Sequence, residues 1–246
     1  MKKLVIFDLD GTLAESKLAL DAEMVLLLNT LLALSKVAII SGGDWPQFEE
    51  QVLSLPLQVE VLPNLTLLPT CGTKLYIFEG KWKKLYSEEL NYFEKEKITT
   101  ALKIVINLLG YIPEETWGET IEDRGSQITY SGLGQKAPLA AKIRWDPDFN
   151  KRLRMQEILV DLLPEFSIRS GGSTSIDITK SGIDKAYGVR KLARVTEIGI
   201  GEMIFVGDAL FLGGNDYPVK EIGVHSIAVK GPYETKRVIE GIIACL

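Results

Sequence analysis

The sequence of 246 residues is poor in cysteine and histidine and has no excess of positive charge. Its two cysteines, Cys71 and Cys245, stand far apart and outside any CxxC or Cys/His group, which argues against a disulfide framework and the usual zinc sites. Reduced thiols of this kind are typical of a cytoplasmic protein. Lysine and arginine number 28 against 33 acidic residues, a net charge of -5, and binding to a nucleic acid backbone is therefore not expected.

Long apolar runs are missing as well. The run that starts at Leu4 ends at Asp8, far short of the apolar segment of a signal peptide, so export is not expected. The longest apolar stretch, residues 25–40, is interrupted by polar residues such as Asn29 and Lys36 and is shorter than the ~20 residues that cross a bilayer. The sequence therefore predicts a protein without a membrane segment.

What the sequence does contain is an alternation of buried strands and helices at both ends of the chain. Leu4–Phe7 and Val37–Ile40 are short runs of apolar residues, and residues 22–34 between them have the length and the capping residue, Asp21, of a helix. A strand, a helix and a second strand in this order predict a parallel sheet. The other elements predicted for the outer segments are helices over 46–53, 185–195 and 233–244 and strands over 73–78, 82–86, 203–206 and 226–229.

The middle of the chain has a different pattern. Its predicted elements are helices over 89–109 and 149–163 and strands over 127–131, 139–143, 166–168 and 174–178. Helices beside strands of antiparallel character indicate a separate α+β unit. We therefore expect an α/β protein with a Rossmann-like, doubly wound parallel sheet core over residues 1–83 and 185–246 and an inserted α+β cap domain over residues 84–184.

Two carboxylates, Asp8 and Asp10, follow the first predicted strand. The carboxyl ends of parallel strands are where open α/β sheets place their sites. Two acids at this position repel each other unless a bound cation offsets their charge. The alternative is a helix cap or a turn, which we regard as the weaker interpretation for this reason.

Three further polar groups lie beside elements of the same predicted sheet. Ser41-Gly42-Gly43-Asp44 offers a hydroxyl and unhindered backbone NH groups to an anion, although a glycine pair after a strand is more often only a turn. Lys185 begins a predicted helix, where most lysines are solvated. Gly207-Asp208 and Gly213-Gly214-Asn215-Asp216 follow a predicted strand and combine acidic groups with glycines, which suits a hard cation such as Mg²⁺.

In this order the four groups resemble the four motifs of the haloacid dehalogenase superfamily. The resemblance covers the whole chain and implies that Asp8 is a nucleophile and Asp10 an acid/base. It also implies that Ser41 and Lys185 bind the transferring phosphoryl group and that Asp8, the Asp10 carbonyl and Asp208 hold Mg²⁺. These roles suit phosphoryl transfer, because a carboxylate attacks a phosphate dianion only after cations have neutralised part of the charge.

Within that superfamily the chain is most similar to the eukaryotic-type phosphomannomutases. The residues that carry this similarity are Arg124-Gly125-Ser126, Tyr130-Ser131-Gly132-Leu133-Gly134, Gly171-Gly172-Ser173-Thr174-Ser175-Ile176-Asp177, Gly182-Ile183-Asp184-Lys185, Gly213-Gly214-Asn215-Asp216 and Gly231-Pro232-Tyr233-Glu234-Thr235. The similarity implies that Arg124, Ser175 and Asp177 of the cap face a sugar phosphate. Gly42 and Asn215 are further expected substrate contacts. Without the similarity, Ser175 and Asp177 would be explained equally well as alternating residues of an edge strand.

The chain departs from the mutase pattern at two cationic positions. Gln135, followed by Lys136, stands where the pattern has an arginine in the cap loop, and Lys17 replaces another arginine in the core. An amide does not replace the planar fork of a guanidinium, and an ammonium replaces it only in part. We therefore expect the second phosphate of a sugar bisphosphate to be held less firmly and water to be the favoured acceptor.

Three functions are compatible with these motifs. A Mg²⁺-dependent phosphatase would pass the phosphoryl group from Asp8 to water, and a phosphomannomutase-like isomerase would pass it back to a hexose. A signalling domain that accepts a phosphoryl group would use a similar acidic site but does not need a large cap. We expect the phosphatase, acting on a small phosphorylated metabolite such as a sugar phosphate, with no nucleic acid or membrane partner. The mutases that the chain resembles pair through their caps, so the resemblance also implies a homodimer through the cap.

Overall fold

The computed structural model of the chain describes residues 2–171 and 174–246. Gly172 and Ser173, which belong to the glycine-rich cap motif, lie outside the described residues. The chain forms two compact units: the core unit consists of residues up to Ser87 together with Asp184–Leu246, and the cap unit consists of Glu88–Ile183. A boundary at residue 83, as expected from the sequence, would cut through a strand of the core unit that ends at Ser87.

The elements are numbered along the chain. The strands are β1 (Leu4–Asp8), β2 (Lys36–Ile40), β3 (Leu65–Leu68), β4 (Lys74–Phe78), β5 (Trp82–Ser87), β6 (Ile121–Asp123), β7 (Gln127–Ser131), β8 (Phe166–Gly171), β9 (Ser175–Lys180), β10 (Met203–Gly207) and β11 (His225–Ala228). The α-helices are α1 (Ala22–Leu34), α2 (Trp45–Phe48), α3 (Tyr92–Leu109), α4 (Leu139–Trp145), α5 (Asn150–Leu162), α6 (Lys185–Thr196), α7 (Tyr217–Glu221) and α8 (Pro232–Cys245). None of the helices in the described part of the chain is both long and apolar enough to span a membrane.

A mixed, mostly parallel sheet forms the centre of the core unit. Its strand order is β11-β10-β1-β2-β3-β4-β5. The first five strands in this order run parallel, and β4 and β5 are added at one edge as an antiparallel hairpin. This arrangement confirms the predicted α/β class with a doubly wound sheet.

The central strand β1 is buried on both faces, as its continuous apolar sequence predicts. Val5 and Phe7 pack into a cluster that includes α1 and α8. Leu4 and Ile6 pack on the other face, in a cluster that includes α6 and α7. Because helices cover both faces, the ends of the strands are where the sheet leaves room for polar groups, and Asp8 lies at such an end.

Capping residues fix the start of two helices in the core unit. Asp21 accepts a hydrogen bond from Met24 N at 2.9 Å at the start of α1, and Asp44 caps α2. Helix α2 continues directly into a π-helical turn, Glu49–Leu53. The sequence predicted one regular helix over 46–53, whereas the structure has a short α-helix followed by this wider turn.

The cap unit is built on a four-stranded antiparallel sheet in the order β6-β7-β9-β8. Helices α3 and α5 cover one face of this sheet and share an apolar core with it, in which Ile98 and Leu159 pack with Ile128 and Ile176. This is the inserted α+β unit that the sequence predicts.

The prediction of a strand over 139–143 is wrong, because the structure has helix α4 there. Two alanines in this segment favour a helix and are poor strand formers. Pro138 stands at the N-cap with a φ of -57°, an angle that suits the start of a helix. A short apolar run alone does not distinguish a strand from a helix. Strands β3 and β6 and helix α7 were also not predicted from the sequence.

Candidate active site

A buried lysine joins two carboxylates at the carboxyl end of the core sheet. Asp8 ends β1, and Lys185 is the first residue of α6. Lys185 Nζ donates hydrogen bonds to Asp8 Oδ1 and, at 2.6 Å, to Asp216 Oδ1. Lys185 is 1% exposed, so it is not one of the solvated lysines that are common at the start of a helix.

Burial and charge together set the ionisation of this group. Burial is the main cause that raises the pKa of Asp8 from its ordinary 3.8 to about 7; Lys185 opposes the rise and the Asp216 carboxylate adds to it. Burial alone would lower the pKa of Lys185, but Asp216 and Asp8 outweigh it and hold this pKa above its ordinary value. Lys185 therefore remains a cation, while Asp8 gains or loses its proton near neutral pH.

Asp208 joins these residues in a cluster of carboxylates. Asp8, Asp208 and Asp216 each offer an oxygen, and these oxygens lie within 4.8 Å of one another. Asp208 directly follows β10 and is exposed, whereas the other two are buried. One lysine does not balance all of these carboxylates, so the cluster retains negative charge. Its hard oxygen ligands are those that divalent cations such as Mg²⁺ prefer.

Two glycines leave the room that these carboxylates need. Gly11 has a φ of +82°, and a Cβ there would lie 2.6 Å from Asp208 Oδ2. A Cβ on Gly207 would lie 2.3 Å from Asp216 Oδ2. Both distances are shorter than a carbon and an oxygen tolerate, so the cluster requires glycine at both positions.

The carboxylates that the structure brings together differ from the set that the resemblance implied as metal ligands. The sequence predicted Asp8, Asp10 and Asp208, whereas the structure brings Asp216 to Asp8 and Asp208. The Asp10 carboxylate faces other partners, and the role expected for the Asp10 main-chain carbonyl stays a prediction. Asp216 belongs to a motif quoted from the sequence but was not among the expected ligands, because the sequence does not show where the loop after β10 returns.

Asp10 is held by several donors of the core unit. Lys17 N donates to Asp10 Oδ1 at 2.8 Å, and Gln51 Nε2 donates to the same oxygen at 3.2 Å. Gln47 Nε2 donates to Asp10 Oδ2 at 2.7 Å, and Lys17 Nζ lies 3.3 Å from that oxygen. Burial pushes the pKa of Asp10 upward, but the charge of Lys17 and these hydrogen bonds outweigh it and hold the pKa below its ordinary value. Asp10 is thus an oriented carboxylate.

Ser41 directly follows β2, the strand that pairs with β1 as far as Asp8. Its buried Oγ accepts a hydrogen bond from Gly43 N at 3.0 Å. A neighbouring turn supports this loop, because Cys71 N donates to Ser41 O at 2.8 Å and Thr70 N donates to Gly43 O at 2.9 Å. The structure therefore places the expected phosphate loop at the same sheet edge as Asp8.

The other expected contacts of the core unit lie in loops. Gly42 is half-buried beside Ser41, and Asn215 is exposed in the loop between β10 and α7.

Three residues that contact the expected catalytic carboxylates were not identified from the sequence. Thr12 Oγ1 donates to Asp8 Oδ2 at 3.2 Å, and Gln47 and Gln51 donate to Asp10. The signal for the two glutamines was their spacing of four residues in a predicted helix soon after Ser41, which places them on one side of that helix.

In the cap unit, Arg124 lies in the turn between β6 and β7 and is 8% exposed. Its Nε and Nη2 donate hydrogen bonds to Glu122 Oε2 at 2.8 and 2.6 Å. Glu122 therefore holds the guanidinium plane in one orientation, and a guanidinium so held suits recognition of an anionic group.

Ser175 and Asp177 stand two positions apart on β9, so their side chains share one face of the cap sheet. Thr129 pairs with Asp177 in the ladder of β7 and β9 and donates to Asp177 Oδ1 at 2.7 Å. The remaining β7 and β9 residues of this polar face are Gln127, Ser131 and Thr179. Strand β9 lies between β7 and β8, so alternation on an edge strand does not explain these residues.

Gln135 lies in the loop between β7 and α4 and is half-buried. Its main-chain carbonyl accepts a hydrogen bond from Lys142 Nζ at 2.9 Å. A lysine of α4 therefore lies beside the loop position at which the mutase pattern has an arginine.

Known proteins resemble this chain along nearly its whole length. The family model described as eukaryotic phosphomannomutase matches residues 24–245. A phosphomannomutase of Encephalitozoon cuniculi is 28% identical over 252 residues, which cover 97% of this chain and 93% of that protein. A phosphomannomutase of Spinacia oleracea is 29% identical over 227 residues, which cover 88% of this chain and 85% of that protein.

Solved structures share the fold at lower sequence identity. An IMP-bound mutant of the IMP-nucleotidase of Plasmodium falciparum has a TM-score of 0.71 at 16% identity and covers 100% of this chain and 67% of its own. The C-terminal domain of the trehalose-6-phosphate phosphatase of C. albicans has a TM-score of 0.68 at 16% identity, with 100% and 93% covered. At such identities the likeness concerns the fold alone.

Proposed function

The chain belongs to the eukaryotic phosphomannomutase family, and we propose from this premise that it interconverts the 1- and 6-phosphates of a hexose, mannose first, through a phosphoryl group carried on Asp8. As a member of this family it is an enzyme that transfers phosphoryl groups on sugar phosphates. Water was the acceptor expected from the sequence, because Gln135 and Lys17 replace arginines of the mutase pattern. The family match and the relatives named phosphomannomutase favour a hexose acceptor instead, and we revise that expectation accordingly.

The contact that carries this proposal is the Lys185 ammonium shared by Asp8 and Asp216. It places a lasting positive charge beside the carboxylate that would attack the phosphoryl group. The Ser41 hydroxyl lies at the same sheet edge and can donate to a phosphoryl oxygen, because its Oγ only accepts in the contact with Gly43 N. Donors fixed in place before the reaction stabilise the charge of the transition state without reorganisation.

In the first half-reaction, Asp8 carries the phosphoryl group, and the ionised Asp10 takes a proton from the free hydroxyl of a hexose monophosphate. That oxygen attacks phosphorus in line with Asp8, the bond from phosphorus to Asp8 breaks, and a hexose bisphosphate forms. In the second half-reaction, Asp8 attacks the other phosphorus of the bisphosphate, and Asp10 returns its proton to the sugar oxygen that leaves. Asp8 is then phosphorylated and Asp10 ionised, as at the start.

We further propose that Asp8, Asp208 and Asp216 hold a Mg²⁺ ion, since their oxygens carry more negative charge than Lys185 balances. A bound Mg²⁺ supplies neutralisation of charge on the phosphoryl group. Gly11 and Gly207 support this assignment, because any larger residue would occupy the space beside two of these carboxylates.

We propose that the cap unit recognises the sugar phosphate through Arg124, Ser175 and Asp177, with Gly42 and Asn215 as further contacts from the core unit. The Arg124 guanidinium is oriented by Glu122, and Ser175 and Asp177 share the polar face of the cap sheet.

We also propose that the cap unit forms a homodimer. Phe93, Ile104 and Leu108 are exposed by 81%, 51% and 68% and lie on one side of α3. Apolar residues grouped on a surface in this way are typical of an interface. Light scattering that finds a monomer at micromolar concentration would contradict the dimer.

The proposed activity is tested by an assay that measures two products in one reaction. The protein is incubated with mannose 1-phosphate, Mg²⁺ and a trace of hexose bisphosphate, and both mannose 6-phosphate and free phosphate are quantified. We expect formation of mannose 6-phosphate to exceed release of phosphate. Asp8→Asn should abolish both, because an amide is a poor nucleophile of nearly the same shape.

A phosphatase is the second candidate, and Gln135 favours it, because an amide holds the second phosphate of a bisphosphate less firmly than an arginine would. Release of phosphate that outpaces isomerisation by the parent protein would overturn the mutase and leave the phosphatase. Gln135→Arg should raise the ratio of isomerisation to release in either case.

A further inference from the structure

We propose that Gln47 and Gln51 are positioning residues that hold the Asp10 carboxylate for proton transfer. The inference rests on the proposed function, in which Asp10 exchanges a proton with an oxygen of the sugar. Neither glutamine belongs to the motifs that carry the resemblance to known families. Both act through Asp10 rather than on the substrate.

Gln47 uses both ends of its side-chain amide. Its Nε2 donates to Asp10 Oδ2 at 2.7 Å, and its Oε1 accepts a hydrogen bond from Lys17 Nζ at 2.5 Å. Lys17 also contacts Asp10 directly, so that Gln47, Lys17 and Asp10 form a ring of contacts. Lys17 Nζ lies 3.3 Å from Asp10 Oδ2, and Lys17 N donates to Asp10 Oδ1 at 2.8 Å. Contacts to both oxygens fix the plane of the carboxylate, which a single contact would leave free to rotate.

Gln51 holds the other oxygen from the interior of the core unit. It is 1% exposed, and its Nε2 donates to Asp10 Oδ1 at 3.2 Å and to Leu18 O at 2.6 Å. Its main-chain O accepts a hydrogen bond from Leu20 N at 3.0 Å. Gln51 Oε1 accepts no hydrogen bond from the described residues. A buried amide oxygen in this state costs stability, so the amide is oriented to use its donors.

The backbone around the two glutamines makes these contacts possible. Gln47 lies in α2 and Gln51 in the π-helical turn that follows it. π-helical turns are rare and occur frequently at functional sites. A Cβ at Gly43 would lie 1.8 Å from Gln47 Oε1, so a larger residue at this position would displace the Gln47 amide from its present contacts. The loop that carries Ser41 and the contacts to Asp10 are therefore coupled through Gly43.

The orientation of Asp10 matters most for substrates whose leaving oxygen needs a proton. A sugar oxygen leaves slowly unless it is protonated, whereas p-nitrophenolate leaves without a proton. Loss of the contact from Gln47 should therefore slow phosphoryl transfer from a sugar phosphate much more than transfer from p-nitrophenyl phosphate. A merely structural role of Gln47 would slow both.

The test compares the parent with Gln47→Met and with Gln58→Met, a control at an exposed glutamine of the core unit. We expect Gln47→Met to lower kcat for mannose 1-phosphate about 10- to 100-fold and to change KM less than about threefold, because the loss lies in proton transfer rather than in binding. First-turnover release of p-nitrophenolate should fall less than about threefold. Gln58→Met should match the parent on both substrates.

Equal losses on both substrates, or no loss on either, would overturn the proposal. Gln51→Met tests the contact to the other Asp10 oxygen with the same two substrates. Thermal unfolding shows whether this variant folds. If Gln51→Met does not fold, the result for Gln47→Met alone decides the proposal. Failure of the proposed function can be distinguished from failure of this inference, because in the first case the parent protein itself would not isomerise mannose 1-phosphate. The same comparison would in that case use glycerol phosphate, whose leaving oxygen also needs a proton.

Discussion

Asp8 combines the position of a nucleophile with burial that opposes its charge. Its pKa is about 7 in the folded protein and ordinarily 3.8, so the folded protein binds this proton more tightly than the unfolded chain does. The charge of Asp8 therefore costs no stability below the ordinary pKa. The cost grows as the pH rises through the interval between the two values and is constant above it.

We expect Asp8→Asn to abolish turnover and also to remove the free-energy cost of burying the charged Asp8 side chain. In metal-free protein at a pH above about 7, the variant should be more stable than the parent by about 1 to 3 kcal/mol. Near the ordinary pKa of 3.8 the difference should vanish. Thermal unfolding with a chelator across this pH range measures both effects. A parent that is the more stable protein at high pH would show that the hydrogen bond from Lys185 outweighs burial.

Arg124 is the charged residue of the cap whose orientation Glu122 fixes. We expect Arg124→Ala to lower kcat/KM for mannose 1-phosphate by about 1.5 to 3 kcal/mol, the cost of losing a charge-assisted hydrogen bond. Acetyl phosphate is too small to need the cap, so its kcat/KM should hardly change. Arg154→Ala, at an exposed arginine of α5, is the control. Equal losses on both substrates would assign Arg124 a structural role.

Residues of the site differ in how far the sequence identifies them. Asp8 was predicted at the end of a buried strand and Lys185 at the start of a helix, and the structure brings the two into contact. Gln51 was not predicted, because its contact with Asp10 depends on a π-helical turn that has no sequence pattern of its own. The approach of Asp216 to Asp8 and Asp208 was not predicted, because the path of a glycine-rich loop does not follow from its composition.

At the scale of elements, backbone contacts set the distance between α6 and the turn that precedes β4. A Cβ on Gly188, one turn after Lys185, would lie 2.5 Å from Cys71 O and 2.7 Å from Ile40 Cδ1. A Cβ on Gly72 would lie 2.4 Å from the Gly188 Cα. The helix that carries Lys185 therefore touches the turn that supports the Ser41 loop.

We expect Gly188→Ala to destabilise the protein by about 1 to 3 kcal/mol, because the added methyl forces the helix away from this turn. It should also lower kcat, since Lys185 moves with the helix. Gly241→Ala in α8 is the control, because no described atom outside the backbone of its own helix lies within 4 Å of a Cβ there. The control should gain up to about 1 kcal/mol from the helix propensity of alanine. Chemical denaturation that finds the two variants equally stable would contradict the contact.

Elements were predictable where the sequence carries a local signal. Helix α1 has the predicted bounds, because Asp21 marks its start and a polar break precedes the next buried strand. Helix α4 was predicted as a strand, since its apolar residues are too few to show a period. Strand β6 spans only Ile121–Asp123 and was missed for the same reason.

At the scale of the whole molecule, the fold can be predicted from the sequence, whereas the acceptor of the phosphoryl group cannot. Apolar runs alternate with helices at both ends of the chain, and this order alone predicts the doubly wound sheet. Transfer to water and transfer to a hexose begin with the same phosphorylated Asp8, so the core motifs are shared by both. The family match changed the expectation from water to a hexose.

Metal binding should connect the carboxylate cluster to the stability of the whole chain. A ligand that binds only the folded protein stabilises it in proportion to the logarithm of its concentration above Kd. Asp8, Asp208 and Asp216 come from separate parts of the sequence and meet only in the folded core unit.

Mg²⁺ should therefore raise the unfolding midpoint, by the equivalent of about 2 to 3 kcal/mol at 100 times its Kd. The rise should become larger as the pH increases through about 7, because Asp8 must lose its proton before it can bind a cation. Asp208→Ala should remove most of the rise, whereas Asp161→Ala, at an exposed carboxylate of α5, should keep it. Thermal unfolding of the parent and the two variants at several pH values, with Mg²⁺ or with a chelator, tests this prediction. An unfolding midpoint that does not change with Mg²⁺ at any pH would contradict the metal site. The carboxylates would then have only the role of holding Lys185.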